Sequence, residues 1–366
     1  MHIAILHNRD ADLLEDDPGR EAREDVVRVA SALAHALTRG ATLAEPLAVE
    51  GASLDFVGLL ERRRPDLVIN LCESLAADAR GEMLVPGLLE LLGLPYTGSP
   101  ALALGLALHK DKAKELLHAR GISTPRFAAL ETPEQLAACA LPFPLIVKPS
   151  REDASVGVGF DSVVHERAGL ERAVRAVWAT FHQPALVEQY IEGREVYVPL
   201  LGNAPRRALP LTEIAFGKAF EGRPNIVTYA AKWEEDSPVC VDSPAVRCHL
   251  PDELHARAVD CARGAFEALG CRDYGRVDLR ITPAGQPYVI DINPNCDLSP
   301  TAGYAKAAAA AGMDYRALAE SLVEVALERH HADSSPHAGG PARPRLAAGA
   351  YRELHPGRAG GRARAG

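Results

Sequence analysis

Gly275–Asn295 reads GRVDLRITPAGQPYVIDINPN, and the alternation within it decides the fold. Val277, Leu279 and Ile281 alternate with Arg276, Asp278 and Arg280. Beyond Pro283-Ala284-Gly285-Gln286, Val289, Asp291 and Asn293 fall on one side and Tyr288, Ile290 and Ile292 on the other. Period-two alternation on both flanks of a Pro/Gly turn predicts a β-hairpin. With Pro283–Gln286 as the loop, Thr282 faces Pro287, Asp278 faces Asp291 and Arg276 faces Asn293. Side chains directly opposed across a ladder hold their Cβ atoms roughly 4.5–5.5 Å apart. Two carboxylates that close repel unless a cation lies between them. Asp278, Asp291 and Asn293 supply hard oxygen donors, which suit Mg²⁺ shared with a phosphate. The competing reading is a surface hairpin with solvated acids. Against it, the acidic positions are set among apolar β-formers.

Around this hairpin, 366 residues leave room for two or three domains and a sizeable core. A formal charge of −9 argues against general affinity for nucleic acid, though not against a local phosphate site. Seven scattered cysteines, odd in number and without CxxC or zinc spacing, point to a reduced, cytoplasmic setting. The run from Met1 to His7 is too short for a signal peptide, and no stretch approaches the roughly 20 apolar residues of a membrane span.

His2–Leu6 and Pro65–Leu71 read as buried strands, and Val26–Leu37 and Val85–Leu92 as helices. Gly93–Ser99 reads as a short strand ending in a turn. Strands alternating with helices imply a parallel α/β layer, with ligands at the strands' carboxyl ends, near Asn70, Cys72, Glu73 and Ser99. Ala103–Arg120 reads as one helix carrying His109-Lys110-Asp111-Lys112, stopped by Gly121. The strand Pro144–Pro149 delivers Lys148 at its end, where burial of an amine requires an anionic partner. Ser150–Gly159 is a small-residue loop whose N–H groups can approach phosphate, although a plain hairpin turn reads equally well there. Ala185–Glu195 is strand, Glu192-Gly193 turn and resumed strand. Gly217–Val241 is a long irregular segment carrying Lys232, the pattern of a lid or of an ordinary exposed loop. Pro251–Leu269 and Tyr315–Ala326 are further helices. From about His330 the composition predicts a disordered tail, 330–366.

Four segments, KPSREDASVGV, EQYIEGREVYV, YAAKW and GRVDLR…VIDINPN, occur here in one order. That order resembles the ATP-grasp superfamily, most closely the D-alanine–D-alanine ligase family, over about Pro65–Leu322. The resemblance implies an α/β and α+β, three-domain ATP-grasp architecture. An N-terminal parallel-sheet domain would cover 1–104, a central lid domain 105–191, and a C-terminal domain with the hairpin 192–329. It also implies roles. Lys112 and Lys148 match lysines on the ATP phosphates, and Ser155 lies in the loop matching the phosphate lid. Glu188, Tyr190 and Ile191 match the adenine hinge, and Glu195 the ribose acid. Lys232 matches a mobile-loop lysine that closes on the γ-phosphate, and Arg276 the arginine at the acyl phosphate. Asp278, Asp291 and Asn293 match the ligands of Mg²⁺, which Mn²⁺ can replace.

The implied activity is an ADP-forming carboxylate–amine ligase working through an acyl phosphate on small amino-acid substrates. Neither nucleic acid nor membrane takes part, and a homodimer is compatible with the family. Departures from the family pattern fall on the amino-acid pockets. His7-Asn8-Arg9-Asp10 replaces a Gly-rich loop whose Glu orients the first substrate's amine. Ala154 stands where the family has Ser, and Trp233 where it has Tyr. Asn70–Glu73 replaces a His-Gly segment, and Pro294–Asp297 replaces Thr-x-Pro-Gly. D-alanine is therefore expected to be a poor substrate, unless Asp10 or Glu73 re-routes the lost contact. The alternatives are a true D-alanine–D-alanine ligase and an ATP-binding regulatory module without catalysis. A metal-dependent oxygenase or hydrolase would need a His₂-carboxylate or HExxH cluster, and the sequence has none.

Overall fold

The computed structural model describes residues 1–10, 20–51 and 53–334; the tail from 335 and most of the acidic segment after the first strand lie outside these. The chain opens with β1 (His2–Arg9), α1 (Arg20–Leu37), β2 (Leu43–Glu50), α2 (Asp55–Arg63), β3 (Leu67–Asn70) and α3 (Leu84–Leu92). β1 lies between β2 and β3, parallel to both. Its alternate residues feed two cores. Ile3 and Ile5 pack with α1, while Ala4 and Leu6 pack with Phe56 and Leu60 of α2 and Leu89 of α3. Burial on both faces is why the strand reads as a continuous apolar run. β2 and α2 escaped the sequence reading because their apolar positions are interrupted by Glu45, Pro46 and charged residues.

Next come α4 (Ala101–Leu108), α5 (Lys110–Ala119), β4 (Phe127–Leu130), α6 (Pro133–Ala138), β5 (Leu145–Pro149), β6 (Val163–Val164), α7 (Arg167–Phe181) and β7 (Ala185–Gln189). The strands form an antiparallel sheet, β4-β7-β5-β6, covered by Leu170, Val174 and Val177 of α7. The single helix expected over Ala103–Arg120 is two. It breaks at His109 (φ −81°, ψ 79°), and the Lys110 N–H donates to the Ser150 carbonyl at 3.1 Å.

The rest comprises β8 (Arg194–Leu201), β9 (Arg207–Ala208), β10 (Thr212–Ile214), α8 (Tyr229–Trp233), α9 (Pro238–Val241), β11 (Ala245–Arg247), α10 (Asp252–Ala268), β12 (Tyr274–Ile281), β13 (Pro287–Asn293), α11 (Gly303–Ala310) and α12 (Tyr315–Ser334). β11-β10-β8-β12-β13 make an antiparallel sheet with β9 on β8. Ala258, Ala262 and Phe266 of α10 pack on Val198, Val277 and Leu279.

β12 and β13 pair Asp278 with Asp291 and Arg276 with Asn293, the register expected. The path to it differs from the expectation. Ile281, not Thr282, faces Pro287, and a bulge between Asp291 and Val289 restores the offset. The extra residue, Ile290, turns Val289 onto the core face beside Leu279 and away from the Asp291 face on which alternation placed it.

α12 runs on to Ser334, beyond the expected end at Ala326 and through the start of the expected tail. Its Leu318, Leu322 and Ala326 share a core with Ile3, Ile5 and Leu33, so the C-terminal helix closes the N-terminal sheet rather than the sheet that precedes it.

Candidate active site

β5 ends on Lys148 and β7 on Glu188, one register step apart on adjacent strands. Lys148 Nζ lies 2.7 Å from Glu188 Oε2, and Lys114 Nζ lies 2.5 Å from Glu188 Oε1. Burial alone would raise the Glu188 pKa; the two ammonium groups outweigh it and hold the carboxyl below its ordinary range. Glu188, expected at the adenine hinge, is thus the anion that sequence reasoning required for Lys148. Beyond it, the Tyr190 carbonyl and the Ile191 N–H have no hydrogen-bond partner among the described residues.

Lys112 is not brought to the cleft. It is exposed and pairs with Glu115 at 2.8 Å and Asp111 at 3.5 Å. Lys110 and Lys114, one helical turn apart, occupy the inner face of α5. Lys110 Nζ lies 2.7 Å from Asp153 and 3.6 Å from Asp291. The sequence signal for this face, an i, i+4 lysine pair, emerges only once the helix is restarted at Lys110.

Ser155 sits at the crest of the Ser150–Gly159 loop, where Ala154, Ser155 and Gly157 all have positive φ. The lid lies against this loop. The Tyr229 N–H donates to the Val158 carbonyl at 3.0 Å, and the Trp233 indole N–H to the Ala154 carbonyl at 3.0 Å. Glu195 is buried on β8, accepts from the Tyr197 hydroxyl at 3.0 Å and lies 3.7 Å from Arg280. Arg280, which sequence reasoning passed over, also donates to the Gly193 carbonyl at 3.0 Å and to the Asn225 carbonyl, tying hinge to lid.

Arg276, Asp278 and Asn293 share one face of the hairpin. The Arg276 guanidinium donates to both Asp278 oxygens at 2.6 and 2.8 Å, and the Asn293 amide to Oδ2 at 3.1 Å. Asp278 is therefore neutralised by Arg276, and Asp291 has Lys110 nearby. The opposed carboxylates are accommodated by side-chain cations, so their closeness does not by itself demand a metal. The donor set still fits one: Asp291 Oδ2 and Asn293 Oδ1 are oxygens without a donor among the described residues, beside the Asp278 carboxylate. No three His, Cys, Asp or Glu cluster as a metal site among the described residues; the hairpin's third oxygen is an amide's.

Lys232, Trp233, Arg276, Asn293, Glu73 and Asp297 line one cavity between the three sheets. Enclosure by its walls, then Arg276, lowers the Lys232 pKa, while Asp297 and Glu73 work to raise it. Enclosure, then Asp297, pushes Glu73 up to about 8. Cys296 also lines the cavity, but burial pushes its thiol up to about 12, which leaves no thiolate nucleophile there. Asp10 does not reach the cavity as a free acid. It accepts from Asn8 Nδ2, the Ser74 hydroxyl and the Ala77 N–H at 2.8, 2.7 and 2.8 Å.

Comparison with known proteins agrees with this geometry. The family model described as D-ala D-ala ligase C-terminus matches residues 116–324. "Uncharacterized protein y4sG" of Sinorhizobium fredii is 37% identical over 270 residues, covering 73% of this chain and 76% of that protein. The D-alanine–D-alanine ligase of Pelotomaculum thermopropionicum is 30% identical over 318 residues, 84% of this chain and 91% of that one. In fold, the chain is similar to the D-alanine–D-alanine ligase from Bacillus anthracis solved in complex with ATP, with a TM-score of 0.69 at 21% identity over 91% of this chain and 99% of that one. The chain belongs to the D-alanine–D-alanine ligase family of ATP-grasp enzymes, ADP-forming ligases that make carbon–nitrogen bonds.

Proposed function

We propose that this ligase activates an amino acid's carboxylate with ATP and joins it to a second amine, and that D-alanyl-D-alanine is not its product. The observation that carries the reading is the convergence of Lys232, Arg276 and the hairpin oxygens on one cavity beneath the lid. A substrate carboxylate oxygen attacks the γ-phosphorus of ATP, the bond to the β-phosphate oxygen breaks and ADP leaves. The amine then attacks the acyl carbon of the acyl phosphate, loses a proton, and phosphate departs. Neither step needs a protein nucleophile; both need positioning and neutralised charge.

Lys114, Lys148 and Lys232 are the cations for the phosphates, with Lys114 in the place first expected of Lys112. Arg276 faces the acyl phosphate, and the Tyr190 carbonyl and Ile191 N–H face adenine. Ser155 and its loop lie over the phosphates, and Glu195 is on the ribose side. Asp278, Asp291 and Asn293 would hold Mg²⁺, which supplies charge neutralisation to the transferring phosphoryl group when bound. Relatives bearing the D-alanine–D-alanine ligase name favour D-alanine as substrate. Against that, Asp10 is saturated by internal donors, and Trp233 spends its only donor on Ala154. Purified enzyme with ATP, Mg²⁺ and pooled amino acids should release phosphate, with products identified by mass. Efficient D-alanyl-D-alanine synthesis at millimolar D-alanine would refute the substrate assignment, and no amino-acid-dependent phosphate release would refute the ligase assignment.

A further inference from the structure

Six acids line the cavity, Asp25, Glu73, Glu82, Glu152, Asp153 and Asp297, against the cations Lys232 and Arg276. Most of these charges are already committed within the protein. Asp25 pairs with Arg28 at 2.8 Å, Asp153 with Lys110 at 2.7 Å, and Glu82 accepts from Asn295 at 3.1 Å. Glu152 accepts from Gln183 at 2.8 Å, and one Asp297 oxygen accepts from the Ser299 N–H at 2.7 Å. Arg276 is locked on Asp278. The Glu73 carboxylate has no hydrogen-bond or ion-pair partner among the described residues, and Lys232 meets only the Trp233 ring. The cavity therefore presents one uncommitted anion and one uncommitted cation, the complement of a zwitterion.

The placement of Glu73 is fixed. It follows β3 at the carboxyl end of the parallel sheet, and its N–H donates to Asn8 Oδ1 at 3.1 Å. On one side the Ser74 hydroxyl is tied to Asp10, and on the other the Cys72 carbonyl accepts from Asn295 at 3.0 Å. A half-buried carboxylate held in this way, with no partner, is unfavourable unless a ligand pairs with it.

We propose that Glu73 binds the ammonium of the acid substrate while its carboxylate lies toward Lys232 and Arg276, so that the acyl donor must be an amino acid rather than a simple carboxylic acid. This rests on the ligase reading above. The role belongs to Glu73 and not to Asp10, whose carboxylate is filled by three protein donors. Asp297, with one oxygen uncommitted, is the neighbouring acid. An ammonium beside Glu73 also restores the charged form that enclosure disfavours. A donor lacking the ammonium leaves Glu73 unpaired, and a site with an unpaired buried polar group rejects such an analogue by orders of magnitude.

The test compares each amino acid that supports phosphate release with its deamino acid, alanine with propionate as the first pair, using full-length enzyme, ATP and Mg²⁺. The wild type should prefer the amino acid in kcat/KM by roughly a hundredfold or more. Glu73→Gln should shrink that preference at least about tenfold while the KM for ATP stays within about twofold, and Glu73→Asp should recover part of it. A preference unchanged in Glu73→Gln, or an equal loss on both acids, overturns the assignment to Glu73. A wild type that uses propionate as well as alanine overturns it while leaving the ligase intact. Phosphate release that depends on neither kind of acid overturns both readings.

Discussion

Lys112 and Lys114 share a helix but not an environment. Lys114 is buried against Glu188, whereas Lys112 is solvated. Removing Lys114 leaves Glu188 on Lys148 alone, so Lys114→Met should cost about 3 kcal/mol in urea unfolding, as for one partner taken from a buried ion pair. It should also raise the KM for ATP. Lys112→Ala should change neither the midpoint nor ATP use, and a damaged Lys112→Ala enzyme would restore the assignment the sequence suggested. Lysine at the end of β5 was legible because an apolar strand ending in an amine implies a buried anion. The choice between Lys112 and Lys114 was not, because the break at His109 comes from a tertiary hydrogen bond to Ser150, with no proline or glycine to announce it. Glu73 carries a pH consequence with a definite sign. Enclosure, then Asp297, raises its folded pKa from 4.5 to about 8, with Asp153 and Asp25 adding to the rise and Lys232 opposing it. The native state therefore holds its proton more tightly than the unfolded chain, and the ionised side chain destabilises the fold as pH rises from 4.5 toward 8. Glu73→Gln should melt higher than wild type at pH 8, with the difference fading below pH 4.5; a difference that instead grows in acid would contradict the raised pKa.

At the scale of elements, the hairpin was legible down to its opposed residues, yet its bulge was not. Period-two alternation reports which residues are apolar. It does not report where an extra one is inserted, and Val289 on the core face is the trace of Ile290 bulging out. The turn between β7 and β8 was legible through Glu192-Gly193, and the structure shows why glycine is needed there. Gly193 has φ +145°, and a Cβ on it would lie 2.0 Å from the Ile281 carbonyl oxygen. That oxygen belongs to β12, which cannot retreat without leaving β8. Gly193→Ala should therefore cost roughly 3 kcal/mol or more. Because Arg280 also donates to the Gly193 carbonyl, the shift should reach the lid through Asn225. Chemical denaturation checks the stability, and faster hydrogen exchange across Gly217–Val241 in the variant checks the coupling. Wild-type values for both would show that the hinge is more compliant than this packing allows.

Across the whole molecule, the N-terminal sheet, the hairpin sheet and the last helix meet at one carboxylate that no periodicity could reveal. Asp273, fully buried just before β12, accepts from the Gly98 N–H at 2.9 Å and from Asn203 Nδ2 at 3.0 Å. It also takes the Arg329 guanidinium through two bonds at 2.8 and 2.9 Å. Its partners are scattered from the turn before α4 to the far end of α12, so the site exists only once all three parts have docked. Arg329 lies in the stretch of α12 beyond Ala326, where composition alone had the helix already finished. Its guanidinium also donates to the Tyr96 carbonyl at 2.7 Å, which fastens α12 to the edge of the N-terminal lobe. Asp273 adopts φ 63°, a left-handed conformation that asparagine shares readily, so Asp273→Asn preserves backbone preference and shape while removing the charge. The variant leaves Arg329 mostly buried without its anion and forces one amide N–H toward a donor. A loss of about 3 kcal/mol is expected. The loss should be concentrated in α12, whose amides would exchange faster than those of β12. In a double-mutant cycle with Arg329→Met, most of the Asp273→Asn cost should vanish, because the two act as one contact. Additive losses would mean that Asp273 holds the turn at Gly98 and the Asn203 loop independently of the helix, and that α12 is kept in place by its apolar face alone.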